Sequence, residues 1–137
     1  MLKNNFNPFI GIDTISFGKK REDIRARLNS RFEVFVRNEF ADNSLDYYKE
    51  LEFFTLFDAN NICVAIEFAG KSNLYYKGEN LLEFSFSDLR RKFDSLSVSY
   101  EESKDDVTYH DLGFGFNKTV DKDEVEGLII FCKDYWD

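Results

Sequence analysis

Apolar and polar positions alternate from Arg31 to Arg37, with Phe32, Val34 and Val36 on one side and Arg31, Glu33, Phe35 and Arg37 on the other. A period of two predicts a strand. Leu51–Phe57 and Ile62–Phe68 form the clearest strand pair, joined by Asp58-Ala59-Asn60-Asn61, whose side chains suit a tight turn. In the second of these strands, Ile62, Val64, Ile66 and Phe68 are expected on one face, and Cys63, Ala65 and Glu67 on the other. The period becomes helical from Lys19 to Leu28, where Ile24 and Leu28 lie four apart. It does so again from Phe86 to Phe93, with Ser85 placed to cap and Asp88 in the capping-box position. Further strands are expected at Leu74–Lys77 before a turn at Gly78, at Leu96, Val98 and Tyr100, at Tyr109–Asn117 and at Glu126–Cys132. Asn38–Asp46 and Glu101–Asp106 read as polar loops, and Asp134–Asp137 closes the chain.

The two halves follow one order. Glu22–Leu28 matches Ser87–Phe93, Tyr48–Phe53 matches Tyr109–Phe114, and Ala65–Phe68 matches Leu128–Phe131, at offsets of 65, 61 and 63 residues. Matched order at a nearly constant offset indicates an internal repeat. The expected fold class is therefore α+β: a single domain, residues 1–137, of two similar helix-plus-antiparallel-strand halves at about 1–70 and 71–137. Two such units side by side share one twisted sheet. The face opposite the helices is then a broad open surface, which suits a macromolecule better than a metabolite.

A chain of 137 residues with 18% aromatics, 16 of them Phe, can build a core without disulfides or metal. No apolar run approaches the roughly 18 residues that span a bilayer, and Met1–Gly18 lacks the compact apolar stretch of a signal peptide. Cys63 and Cys132 read as reduced strand residues. A cytoplasmic protein is the expectation. With 26 acids, 18 bases and a formal charge of -8, the chain should repel nucleic acid and anionic membranes and attract basic partners.

Candidate chemistry is sparse. His110 is the single histidine, with no nucleophile motif beside it. One His and two separated Cys provide no zinc spacing. Gly113-Phe114-Gly115 lacks the third Gly and helix of a phosphate loop, and Asp121-Lys122-Asp123-Glu124 lacks the Gly and distal Glu of a calcium loop. The expectation is no catalytic residue, no metal and no cofactor. Charge is more informative. Glu101–Glu126 holds nine acids and three bases, whereas Lys19–Arg37 holds seven bases and three acids. Carboxylates interleaved with aromatics suit a basic protein partner. The candidate partner-binding residues are Glu101, Glu102, Asp105, Asp106, Tyr109, Asp121, Asp123 and Glu124, with Tyr109 as an aromatic anchor.

Phe17-Gly18-x-x-Arg21-Glu22-Asp23-Ile24-Arg25-x-x-Leu28, Asp46-Tyr47-Tyr48 and Val64-x-Ile66-Glu67-Phe68 resemble the repeat of tandem α/β proteins such as the beta-lactamase inhibitor protein and the small outer-membrane assembly lipoproteins. The whole chain, with Gly113-Phe114-Gly115-Phe116 and its Phe-x-x-Asp-Tyr-Trp ending, is similar to bacterial immunity proteins of contact-dependent and polymorphic toxin systems. It departs from the pattern in lacking a Ser or Thr after Gly18 and a lipoprotein Cys at the N-terminus. The resemblance implies neutralisation of a cognate toxin domain by occlusion, with a basic nuclease as the expected toxin. The alternative is a non-catalytic adaptor for a housekeeping protein.

Overall fold

A computed structural model of the chain describes residues 3–39, 41–69 and 72–136; Met1, Leu2, Phe40, Asp137 and the expected half boundary at Gly70–Lys71 lie outside them. The fold is α+β and mostly sheet. In chain order the elements are β1 (Phe6–Asn7), β2 (Gly11–Ile12), α1 (Arg21–Leu28), β3 (Glu33–Phe35), β4 (Leu45–Tyr48), β5 (Phe53–Phe57), β6 (Cys63–Ala69), β7 (Tyr75–Tyr76), β8 (Glu79–Asn80), α2 (Phe86–Asp94), β9 (Tyr100–Glu102), β10 (Asp106–Tyr109), β11 (Phe114–Lys118) and β12 (Val125–Phe131). Eight strands form one antiparallel sheet in the order β3-β4-β5-β6-β12-β11-β10-β9. A helix and a four-strand meander thus occupy each side of a central seam, where β6 pairs with β12 from Ala65↔Phe131 to Ala69↔Gly127.

The helices form where the pattern placed them, for local reasons. Glu22 and Asp23 open α1 while Arg25 and Arg27 close it, complementing the helix dipole. Asn29 ends it in the left-handed conformation, its N–H donating to Arg25 O at 3.1 Å. Lys20 caps nothing with its side chain. Instead Arg21 N–H donates to Asn61 O at 2.8 Å, and Lys20 bridges Ile62, pinning α1 to the β5–β6 turn. Ser85 caps α2 by accepting from Asp88 N–H at 3.1 Å, as the sequence predicts. Here too the helix start is pinned to a hairpin turn, by a Ser85 bridge to Glu124 between β11 and β12.

Four sequence expectations need correction. The presumed loops hide strands: Leu45 and Asp46 open β4, Glu101 and Glu102 belong to β9, and Asp106 opens β10. The presumed strand Tyr109–Asn117 breaks at His110–Gly113, where Gly113 has a φ of 75° and donates to Tyr109 O at 3.0 Å. The presumed strand at Leu96–Tyr100 reduces to Tyr100. Leu96 and Ser97 donate back to Phe93 O, and Asp111 takes the N–H of Val98. Finally, Val64 does not share a face with Ile66 and Phe68. Leu56 pairs with Ala65 and Phe57 with Cys63, so Val64 is a bulge residue and Cys63 returns to the core. An equivalent shift occurs where Asn117 pairs with Gly127 and Lys118 with Val125, leaving Glu126 as the extra residue.

The main core lies between the sheet and the helices. Ile24, Tyr48, Phe53, Ile66, Phe68, Leu89, Phe93, Tyr109, Phe114 and Ile130 are all at most 1% exposed. A smaller cluster of Leu45, Leu56, Ala65 and Phe131 sits on the opposite face, with Phe54, Ile129 and Tyr135 packed against it.

Candidate functional site

The meander brings the acidic residues together. Asp106 pairs with Asn117, and Lys118 N–H donates to Asp105 O at 2.7 Å. The β9–β10 and β11–β12 turns therefore share one end of the sheet. Asp106, Asp121, Asp123 and Glu124 are exposed there and Asp105 is half-buried. Local bases answer some of this charge: Lys118 Nζ lies 3.6 Å from Asp105. Asp121 sits at a φ of 63°, a conformation that Asp tolerates in turns.

The other predicted site residues separate into different roles. Glu101 is an exposed edge residue whose carboxylate lies 3.2 Å from His110 Nε2. Glu102 faces the helix side and pairs with Arg90, which also holds Asp94 at 3.0 Å. Asp123 Oδ1 accepts from both the N–H and the hydroxyl of Ser87 at 2.9 Å, so it caps the start of α2. Tyr109 is not a surface anchor. It is 0% exposed, its ring packs against Phe93 and Phe114, and its hydroxyl donates to Asp94. Burial, then that hydrogen bond and the charge of Asp94, push the phenol's pKa up. Burial would raise the pKa of Asp94, but the hydrogen bonds from Arg90 and Tyr109 outweigh it and hold the carboxyl low. Tyr109→Phe is expected to cost about 1–2 kcal/mol of stability, measured by chemical denaturation, with partner association unchanged. A loss of association with stability intact would restore the anchor role.

The basic stretch is likewise less available than its count implies. Arg21 and Arg25 are committed to the buried Asp46, and Arg37 pairs with Glu67. Among the described residues no group of three His, Cys, Asp or Glu is arranged to hold a metal ion, and no helix is long and apolar enough to cross a membrane.

Sequence reasoning passed over the residues that give the open face its character. Phe35, Tyr47 and Phe54 form one aromatic group across β3, β4 and β5, with Phe35 edge-on to the other two and the Tyr47 and Phe54 centroids 4.4 Å apart. Phe131, Tyr135 and Trp136 form a second aromatic group beside the seam. Phe35 is 43% and Trp136 56% exposed. Between Trp136 and the acidic end runs a groove of about 300 Å³ over Ala69, Thr108, Gly115, Gly127 and Ile129. The signal available in the sequence was the opposite phase of each strand, which reads as a mixture of aromatic and small residues and so suggested no surface.

The fold and site thus describe an α+β sheet protein with one face packed by helices and the other carrying a smaller buried cluster, exposed Phe35 and Trp136 and a groove. Compared with protein-family models, curated proteins and solved structures, the chain matches none.

Proposed function

We propose that this chain is a non-catalytic binding protein, an immunity protein that neutralises a cognate bacterial toxin domain in the cytoplasm by covering its active surface. The observation that carries the reading is the sheet face away from the helices, where the exposed Phe35 and Trp136 and the half-buried Tyr47, Phe54 and Tyr135 share a surface with a set of exposed carboxylates at one end. Aromatic anchors beside steering charges are what a protein interface against a basic partner requires. A nuclease domain needs positive surface to hold phosphates, and carboxylates can occupy that surface in their place.

The same reading takes the two halves as copies of one unit. It is supported by paired features: helix starts pinned at Lys20–Ile62 and Ser85–Glu124, and bulges at Val64 and Glu126. The chains of contacts Arg25–Phe32–Tyr48–Phe53 and Arg90–Tyr100–Tyr109–Phe114 also correspond. These features put the offset at 61 between β4–β5 and β10–β11 and at 62 between β6 and β12. Pairing Ala65 with Leu128, at 63, would join opposite sheet faces.

Asp105→Asn, Asp106→Asn, Asp121→Asn and Glu124→Gln combined leave the Asp123 cap in place. Stopped-flow association with a cognate toxin domain, to be sought in the reading frames next to this gene, should slow by about tenfold to a hundredfold at low salt and lose most of its salt dependence. Parent-like association by that variant would refute the acidic contact. A chain that fails to protect cells expressing that toxin would refute the immunity reading itself.

A further inference from the structure

The two halves of the open face carry opposite surfaces at corresponding positions. Leu45, Tyr47, Phe54 and Leu56 clad the β4–β5 side, where Tyr47 and Phe54 stack. Sixty-one residues on, the β10–β11 side has Asp106, Thr108, Gly115 and Asn117. Across the seam, Ala65 is answered by Gly127. The same backbone is covered on one side and bare on the other. Part of that bareness is obligatory: a Cβ at Gly115 would lie 2.8 Å from Val107 O. Thr108 and Asn117 stand where the clad side has Tyr47 and Leu56, and Asn117 Nδ2 donates to Glu126 at 3.2 Å.

The bare side is the groove bounded by Trp136, and its lining holds two carboxylates, Glu67 and Asp106, with no lysine or arginine among its described residues. Glu67 is already paired with Arg37, while Asp106 is exposed at the mouth. Trp136 offers an exposed indole as one wall. We propose that this groove seats an arginine side chain carried on an extended segment of a basic protein partner. The guanidinium stacks on Trp136, its fork meets the Asp106 carboxylate, and the bare floor leaves room for the segment's backbone. A second copy of this chain, with its own net charge of -8, is disfavoured by the same carboxylates. The inference rests on the reading of a basic protein partner made above.

The test is a titration of the full chain with a short peptide alternating glycine and arginine, beside its lysine and glutamate counterparts. It is followed by amide-resolved NMR and by the fluorescence of Trp136, the sole tryptophan. Saturable shifts at Ala69, Thr108, Gly115 and Gly127 are expected, with a change in Trp136 emission. Binding should be at least about tenfold tighter for the arginine than for the glutamate peptide. Thr108→Tyr with Asn117→Leu, the residues that occupy the clad side, should abolish those shifts while keeping the parent's thermal transition. Should that variant not fold, Asp106→Asn alone should weaken the arginine peptide several-fold. Shifts confined to the loops around Asp105 and Asp121, equal binding of arginine and lysine peptides, parent-like binding by the filled or Asp106→Asn variant, or a dimer that buries the groove would each overturn the proposal. Toxin held equally by parent and filled variant would sink the groove while sparing the immunity reading. Failure to protect against toxin would sink that reading without touching the peptide result.

Discussion

Asp46→Ala is expected to lower the unfolding free energy by about 3–5 kcal/mol, the cost of stranding buried charge. Asp46 is 0% exposed and accepts two forks: Arg21 at 2.6 and 3.3 Å, and Arg25 at 2.8 and 2.9 Å. Both guanidiniums also lie over aromatic rings, Phe57 and Phe32, at 4.6 and 4.4 Å. Removing the carboxylate leaves Arg21, itself only 9% exposed, without its counter-charge. Burial alone would raise the Asp46 pKa, but the hydrogen bonds from Arg25 and Arg21, with their charges, hold it below the ordinary 3.8. A carboxylate depressed in the folded state contributes stability that is complete above its unfolded value and is lost as pH falls through the folded one. Denaturation followed from neutral pH to below pH 3.8 should therefore show an acid-limb loss that Asp46→Asn reduces. An Asp46→Ala protein as stable as the parent at neutral pH would mean that the two arginines find other partners.

Phe93→Ala is expected to cost a similar amount, about 3–5 kcal/mol, through the cavity it leaves. Phe93 is 1% exposed and ties α2 to the sheet through Phe114, at 4.6 Å between centroids in an edge arrangement, and reaches Tyr76 at 5.8 Å. The core on the helix side is continuous from Ile24 to Phe93 across the seam. The loss should therefore appear as one lowered transition rather than as melting of the second half alone. Calorimetry with two resolved transitions in the variant would show instead that each half holds its own core.

The helices were legible because their signals are local: Ile24 with Leu28, and Ser85 with Asp88, need no tertiary partner. The long hairpin partners β5, β6 and β12 were legible for the same reason, as mostly apolar runs interrupted only by Thr55, Glu67 and Glu126-Gly127. β4 and β10 were not. Leu45 and Asp46 sit in a polar stretch, and Asp46 is buried only because two arginines from α1, more than twenty residues away, neutralise it. The break after Tyr109 was masked by its apolar neighbours, since a turn with Gly113 at positive φ looks like strand when read by periodicity alone. The turn at 119–124 is one residue longer than the turn at 58–62, which moves the offset between the halves by one, a step that alternation cannot expose until the face of each residue is known. For the candidate site, the clustering of carboxylates at one end followed from the meander. Which of them were already employed did not, because the Ser87 partner of Asp123 and the Arg90 partner of Glu102 depend on how α2 docks.

The central seam has a consequence for how the chain assembles on the ribosome. β6 is complete when Ala69 has emerged, but its seam partner begins only at Val125. Until then, β6 presents unpaired amides and carbonyls beside Ile66 and Phe68, an open edge of the kind that templates aggregation. The middle of the finished sheet is therefore its last part to close, and sequence-distant closure of this kind slows folding. The interval between synthesis of the two strands is the chain's most vulnerable period.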